Sequence, residues 1–453
     1  MFQKILIANR GEIAIRIIRA CREMGVLTVA VYSEADKDSL HVALADESYC
    51  IGGPLLKDSY INEDSILQIA KFTRAEAIHP GYGLLSENAA FAKKVVENGI
   101  AWIGPSHLVM DQMSDKDVAR ALAKKAGVPI TPGTDILKDE KEAQKAADKI
   151  GYPVMLKARA GGGGKGIRIV EKPEDLAHAF AAATMEGEKA FGDGALFMEK
   201  YLTDIKHVEV QIIADEVGNV AVLGERDCSV QRNNQKLIEE SPAPSISEKT
   251  RKKLYSCAKK LVKACRYITV GTCEFLMDGD ENFYFCEMNT RLQVEHSVTE
   301  MITGIDLVKW QIRTAAGYEI PFDDFTEYGT RAAIECRINA ENPKTQLPSS
   351  GKVELLHIPG GPGVRFDTFL YQGATVSPFY DSLLGKMIVL GGSREEAIRK
   401  MRSALSELVV TGIDVNTQMH LTLLDEEEFI NGSYHTDFFR RKYDVSRSVK
   451  ASE

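Results

Sequence analysis

The chain has 453 residues, of which 44% are hydrophobic and 27% charged, and carries a formal net charge of -9. So long a chain exceeds a single hydrophobic core and implies about three domains. The acidic balance excludes a broad basic face for nucleic acid or an anionic membrane, because the long-range field repels phosphates, but it leaves room for a basic pocket. Small molecules and proteins are therefore the expected partners.

In chain order, MFQKILIANRGEIAIR has too short an apolar stretch for a signal peptide. KILIA (4–8) reads as a strand, and Ile13, Ile17, Ile18 and Cys21 recur at helical spacing over 11–24. TVAVYS (28–33) is the next strand, and the rhythm continues to EAIHPGYG (76–83). Strand, helix, strand at this spacing predicts a parallel sheet covered by helices. The loop after the first strand is NRGE rather than G-x-G-x-x-G, so nothing supports a dinucleotide site. GVPITPG (127–133) breaks the helical pattern of 116–126 and marks a boundary. Strands follow at YPVMLKA, HVEVQIIA, AVLGERD, CEFLM and FYFCE, and then Gly/Pro-rich hairpin signals (SSGKVELLHIPGGPG, PFYDSLLGK). Helices are predicted near 394–409 and 415–424. No run approaches the ~18 apolar residues of a membrane span. The eight cysteines, Cys21, Cys50, Cys228, Cys257, Cys265, Cys273, Cys286 and Cys336, form no C-x-x-C pair. Several lie in apolar runs where a reduced thiol packs as a small hydrophobe, so a cytoplasmic protein without a disulfide framework is expected.

Three stretches carry chemistry. AGGGGKG (160–166) follows the strand ending in Lys157. Glycines let backbone N–H groups turn toward an anion, and a lysine beside them adds charge. No G-K-[ST] closes the run, so it is not a Walker A loop, and it reads either as a phosphate lid or as a flexible surface loop. CEFLM and FYFCE flank the turn-like DGDEN. A turn centred between Asp280 and Glu281 sets Glu274 and Glu287 directly opposite on one face, with Asn289 and Arg291 continuing the alternation. Opposed carboxylates are destabilising unless offset, and a hard cation with oxygen ligands offsets them; two solvated surface carboxylates are the alternative. In this register Cys273 and Cys286 fall on the opposite, core face. EMNTRLQVEH (287–296) then supplies a forked cation in Arg291, a donor and acceptor in Gln293, and a general-base candidate in Glu295; a polar surface turn is the other reading. The histidines have no metal-ligand spacing to one another, so zinc chemistry is not expected.

These stretches stand in order with ILIANRGEIAIRIIRA, IHPGYGLLSENAAFA, MEKYL, HVEVQI, GERDCSVQR, EMNTRLQVEHSVTEMITGIDLVKWQI, ECRINAENP and PFYDSLLGK. Together they resemble biotin carboxylase, a member of the ATP-grasp superfamily, over residues 1–445. The resemblance implies a mixed α/β and α+β fold. A parallel α/β domain would cover 1–112, an ATP-grasp domain with a mobile glycine-rich lid (about 130–202) would cover 113–335, and a mainly antiparallel β domain would cover 336–446. It further implies that Lys116 and Lys157 hold ATP phosphates beneath a lid containing Gly162, Gly163 and Gly164. Glu199, Lys200, Leu202 and Leu276 match the adenine hinge and its surroundings, and His207 and Gln231 match the nucleotide cleft. Glu274, Glu287 and Asn289 match the Mg²⁺ (or Mn²⁺) ligands. Arg291, Gln293 and Val294 match the bicarbonate cradle, Glu295 the base, and Lys236 the lysine beside bicarbonate. Arg337 and Tyr82 match contacts to biotin.

The implied reaction makes carboxyphosphate from bicarbonate and ATP, then carboxylates biotin on a separate biotin carboxyl carrier protein, with carboxyltransferase subunits completing the complex. Acetyl-CoA carboxylase is the expected parent complex, a pyruvate carboxylase the next, and a homodimer built through the C-terminal region is expected. Two rivals are another ATP-grasp ligase and a regulatory protein that kept the fold. The first lacks the full RLQVEH and ECRINAENP context, and the second is disfavoured by the presence of Glu274, Glu287 and Glu295. One departure is visible: the family commonly reads Q-R-R-x-Q-K, whereas this chain has Asn233 and Asn234 in QRNNQK.

Overall fold

A computed structural model describes residues 1–159 and 167–443 of the chain. These fall into two compact units: Met1–Val128, Lys206–Phe275 and Glu287–Glu453 form the first, and Pro129–Ile205 with Leu276–Cys286 the second.

The first unit opens with β1 (Lys4–Ile7), α1 (Gly11–Glu23), β2 (Leu27–Ser33), β3 (Glu47–Gly52), α2 (Glu63–Thr73), β4 (Ala77–His79), β5 (Ala101–Trp102) and α3 (Lys116–Lys125). The sheet order is β3-β2-β1-β4-β5 and the pairs are parallel, as the strand–helix rhythm predicts. Residues in β1 alternate between two apolar layers: Ile5 and Ile7 pack with Ile13, Ile17 and Ile18 of α1, while Leu6 and Ala8 pack with Val29, Val31 and Ile66. Strand order reverses about β1, with β2 on one side and β4 on the other. The ends of β1 and β4 therefore part to leave a crevice at the switch point, where open α/β sheets take ligands. Asn9 ties the two ends together, its amide donating to the Pro80 and Tyr82 carbonyls at 2.6 and 2.8 Å.

The second unit contains α4 (Glu140–Ile150), β6 (Val154–Ala158), β7 (Ile167–Val170), α5 (Leu176–Phe191) and β8 (Leu196–Lys200), with antiparallel strand order β7-β6-β8. Val154, Leu156, Val170 and Met198 point to the helices and meet Ala143, Ala147 and Leu176. By alternation Met155 and Lys157 take the other face.

The remaining elements belong to the first unit except for 276–286 of the β12–β13 hairpin: β9 (Lys206–Ala214), β10 (Val220–Arg232), β11 (Gln235–Ser241), α6 (Glu248–Cys265), β12 (Thr269–Met277), β13 (Phe283–Asn289), α7 (His296–Thr303), β14 (Ala332–Asn339), β15 (Val364–Thr368), β16 (Leu383–Gly391), α8 (Arg394–Glu407) and α9 (Thr417–Leu424). They build an eight-stranded sheet of order β13-β12-β9-β10-β11-β14-β16-β15. One side of β14 carries Ile334, Cys336 and Ile338 into a core with Met401 and Leu405 of α8 and Leu423 of α9. The residues between them, Glu335 and Arg337, take the other side. The residue 335/336 limit drawn from the sequence falls inside β14, which pairs with β11 on one edge and β16 on the other.

Two local expectations are corrected. The β12–β13 turn is three residues long: the Glu281 N–H donates to the Asp278 carbonyl, and Asp278 N–H to the Asn282 carbonyl, at 3.0 and 2.9 Å. Asn289, two residues beyond Glu287 and so on the same face, donates to Glu274 at 2.7 Å, which keeps Glu274 and Glu287 on one face of the sheet. Aspartate at the turn's first position captures two backbone N–H groups, Asp280 and Asn282, and so fixes the longer loop. Cys273 is buried as expected, but Cys286 is exposed.

Candidate active site

Alternation along the polar face of the large sheet assembles the site. β9 presents His207, Glu209 and Gln211 on one side, while Val208, Val210 and Ile212 are fully buried on the other. β10 adds Arg226, β11 Lys236 and, past a register shift at Leu237 that breaks the alternation, Glu239, β12 Thr272 and Glu274, β13 Glu287 and Asn289, and β14 Arg337.

Lys236 stands at the centre. Its ammonium reaches Glu209 and Glu295 at 2.6 Å each and Glu274 at 3.0 Å. Burial alone would lower this lysine, but the three carboxylates outweigh it and hold the group protonated. Glu295 is gripped from two sides, by Lys236 and, at 2.8 Å, by Arg337. Burial would raise its carboxyl, yet Lys236, Arg337 and Arg226 together keep it well below the usual range. Glu274 accepts from Gln293 at 2.6 Å, Asn289 at 2.7 Å and Lys236, and pairs with His207 at 2.8 Å. That carboxylate outweighs the burial of His207 and raises its imidazole above the ordinary value. Gln231 completes this corner, its amide donating to the Cys228 carbonyl at 2.8 Å and meeting His207 Nδ1 at 3.1 Å.

Glu287 behaves differently from its neighbours. Burial and the Glu274 charge push its carboxyl up, with Lys116 offsetting only part of the effect. Two crowded carboxylates with an amide oxygen beside them form a donor set that suits a hard cation. His207, Glu209 and Glu274 also offer ligand atoms within 4.8 Å of one another. The Lys236 ammonium already reaches both carboxylates there, which makes that cluster a salt-bridged one.

The loop 291–295 is held from behind. Arg226 is fully buried, pairs with Glu209, and donates to Gln211 at 2.6 Å, Thr299 at 2.8 Å, Gln293 at 2.9 Å and Thr272 at 3.2 Å. Lys386 of β16 donates to the Val294 carbonyl at 2.7 Å and pairs with Glu12 at 3.3 Å. Arg291 binds Glu87 and Asn289 at 2.9 Å each. The loop thus presents an arginine, an amide and an anchored carboxylate on a backbone that cannot shift freely. At the switch point, the Tyr82 hydroxyl donates to Glu12 beside a cavity of about 150 Å³ lined in part by Arg10, Tyr380 and Asp381.

In the second unit Lys157 pairs with Glu199 across the strands, and the Lys200 ammonium donates to the Gly151 and Tyr152 carbonyls at 2.9 Å each. The Lys200 side chain is therefore committed to its own unit. Leu202 and Leu276 are half-buried there. Gly162, Gly163 and Gly164 lie outside the described residues.

Comparison with known proteins settles the family. Residues 1–110 match the model for the biotin carboxylase N-terminal domain, 115–322 that for the carbamoyl-phosphate synthase L chain ATP-binding domain, and 335–441 that for the biotin carboxylase C-terminal domain. Biotin carboxylase 1 of Bacillus subtilis is 50% identical over 99% of this chain and all of its own length. The chain belongs to the biotin carboxylase family. It is an ATP-dependent carboxylase by that membership. It is also similar to the 2-oxoglutarate carboxylase small subunit of Hydrogenobacter thermophilus, with 47% identity over 97% of this chain and 93% of that protein. The biotin carboxylase domain dimer of the same organism's 2-oxoglutarate carboxylase, solved with MgADP, ADP and bicarbonate, aligns with a TM-score of 0.87. Its identity is 46% over 97% of this chain and 98% of that one. The biotin carboxylase part of a pyruvate carboxylase aligns equally well, with a TM-score of 0.88 and 45% identity over 98% of this chain and 99% of that one. Among the described residues no helix is long and apolar enough to cross a membrane.

The structure shows what QRNNQK does locally. Asn233 and Asn234 both have positive φ, 51° and 65°, between the pairs Gln231↔Lys236 and Arg232↔Gln235. Asparagine tolerates this conformation, so the two residues serve a two-residue hairpin that sets Lys236. Sequence reasoning missed Glu209, Arg226, Glu239, Glu335 and Lys386. Their signal was available: polar residues at every second position of otherwise apolar strands, as in HVEVQIIA and AAIECRIN.

Proposed function

We propose that this chain catalyses the ATP- and bicarbonate-dependent carboxylation of biotin carried on a separate carrier protein. The observation that carries the reading is Glu295, an ionised carboxylate locked between Lys236 and Arg337 on a loop that also presents Arg291 and Gln293. In the free protein burial would raise the Glu295 carboxyl, but Lys236, Arg337 and Arg226 hold it below the usual carboxylate range, which weakens it as a base. A bicarbonate anion in the cradle of Arg291, Gln293 and the Val294 backbone competes for the same cations, and each contact it withdraws from Glu295 makes that carboxylate a stronger base.

Deprotonated bicarbonate then attacks the γ-phosphorus of ATP, giving carboxyphosphate and ADP. Lys116, Lys157 and Lys236 offset charge on the transferring phosphoryl group, and Gly162, Gly163 and Gly164 cover it. A bound Mg²⁺ or Mn²⁺, held by Glu274, Glu287 and Asn289, supplies further positive charge to the phosphates. Glu199, Lys200, Leu202, Leu276, His207 and Gln231 seat the nucleoside. Carboxyphosphate releases carbon dioxide beside biotin, the ureido proton passes to phosphate, and Arg337 stabilises the biotin enolate while Tyr82 contacts the ring.

The parent complex is read as acetyl-CoA carboxylase, with carboxyltransferase subunits and a homodimeric carboxylase in the cytoplasm; a pyruvate or other carboxylase is the second reading. The spread of relatives supports both, because the first half-reaction is common to them. The three-domain division 1–112, 113–335 and 336–446 belongs to the same reading. The test is phosphate release from ATP with Mg²⁺ and bicarbonate, with and without free biotin, on the intact chain, Glu295→Ala and Arg337→Ala. Biotin-stimulated turnover that collapses in both variants supports the reading. Turnover indifferent to biotin and to Arg337 points instead to another ATP-grasp ligase.

A further inference from the structure

Behind Arg337 the same sheet face holds a carboxyl that the reaction does not use. Glu335 is fully buried, and neither of its oxygens has a hydrogen-bond partner among the described residues. It lies two residues before Arg337 on β14, hence on the same face, and its direct cross-strand partner on β11 is Glu239. Glu239 is fully buried too. One of its oxygens accepts from Arg337 Nε at 2.6 Å, and the other has no hydrogen-bond partner among the described residues.

Directly opposed side chains on neighbouring strands sit about 5 Å apart at Cβ. Two buried carboxyls at that separation do not both ionise, so the pair retains one proton. The groups facing Glu335 agree with this count. Lys386 of β16 is turned to the Val294 carbonyl and Glu12, and Arg337 to Glu239 and Glu295. Glu295 adds negative charge, and on α7 burial keeps His296 neutral while Glu300 is ionised against Arg16 and Arg365. Burial pushes both carboxyls up, Glu239 to about 7 and Glu335 well above its ordinary value. A proton on Glu335 supplies the donor that the second Glu239 oxygen lacks.

We propose that Glu335 is a positioning residue for the biotin-directed half of the reaction: it shares a proton with Glu239, fixes that carboxylate against Arg337 Nε, and so aims the remaining guanidinium nitrogens. The inference rests on the reading of Arg337 as the residue that faces biotin. Glu335 touches no substrate; it acts through Glu239 on Arg337.

The test measures phosphate release with and without free biotin, between pH 6 and 9, for the intact chain, Glu335→Leu, Glu335→Gln and Arg337→Ala. Displacing a guanidinium by a fraction of an ångström predicts that Glu335→Leu lowers the ratio of biotin-stimulated to biotin-independent rate about ten-fold. The ratio is read within one preparation, so partial misfolding does not move it. Glu335→Gln keeps a neutral donor and restores the ratio, and it flattens the alkaline fall expected of the intact chain as the pair loses its proton. An unchanged ratio in Glu335→Leu, or an equal loss of both rates in the two Glu335 variants, overturns the proposal. If Arg337→Ala retains biotin stimulation, the biotin-facing reading of Arg337 falls and the proposal with it. If Arg337→Ala loses stimulation while Glu335→Leu keeps it, only the proposal falls.

Discussion

The two large sheets use the same period-2 alternation for opposite ends. In the five-stranded sheet, β1 sends Ile5 and Ile7 to one apolar layer and Leu6 and Ala8 to another, so both faces are dry. In the eight-stranded sheet, β14 buries Ile334, Cys336 and Ile338 on one side and Glu335 on the other, where Arg337 is half-buried beside it. Burying charge costs free energy that its ion pairs recover only when every partner is in place. The first sheet is thus a stability device that positions a crevice. The second gives up stability on one face to hold a preorganised set of charges.

The sharpest way to break this contrast is Arg226→Met. Removing one member of a fully desolvated network strands Glu209 and Gln293, and the expected loss is about 3–5 kcal/mol by denaturant unfolding. A loss below about 1 kcal/mol would mean that the charged face tolerates holes and is not preorganised. Leu6→Ala in the dry sheet comes next, at about 2–4 kcal/mol from lost burial and the cavity left behind, with biotin stimulation of the remaining folded protein unchanged.

The pH dependence separates the two kinds of buried carboxyl. Burial would raise Asp367, but Arg365, Lys386 and Arg16 hold it at about 2, below its ordinary 3.8. Its stabilising contribution is present above about pH 4 and is lost as pH falls through 2. Glu335 has the opposite sign: its folded value is raised, so its contribution is full below the ordinary 4.5 and is lost as pH rises. Melting temperatures should therefore show Glu335→Gln gaining on the intact chain as pH goes from 4.5 to 8, and Asp367→Asn losing on it as pH goes from 2 to 5. A constant Glu335→Gln difference across that range would mean that Glu335 ionises freely. The smallest effect belongs to the hairpin: Asn234→Ala should cost about 1 kcal/mol and Asn234→Gly almost nothing, because only the backbone conformation is at stake.

Much of the candidate site was legible because its signals are local. Glu274, Asn289, Arg291, Gln293 and Glu295 lie within 22 residues, and the structure brings them to one sheet face with Lys236 among them. The turn between β12 and β13 was misjudged by half a position, since the sequence does not say which backbone groups the Asp278 side chain captures. Cys286 takes the face opposite Glu287, as alternation predicts, but it is exposed there rather than part of a core.

Strand and helix positions, the parallel N-terminal sheet, the lysine ahead of the glycine run and the resemblance to biotin carboxylase were all determined by the sequence alone. Period-2 and period-3.6 patterns and turn residues act over a few positions, where the chain itself carries the information. Which charges meet was decided only in three dimensions. Arg337 reaches Glu239 from 98 residues away and Lys386 reaches the Val294 carbonyl from 92, and both contacts exist because β14 joins β11 on one edge and β16 on the other. Sheet order and register set those distances, and a buried charge is held ionised or neutral by whatever the register places beside it.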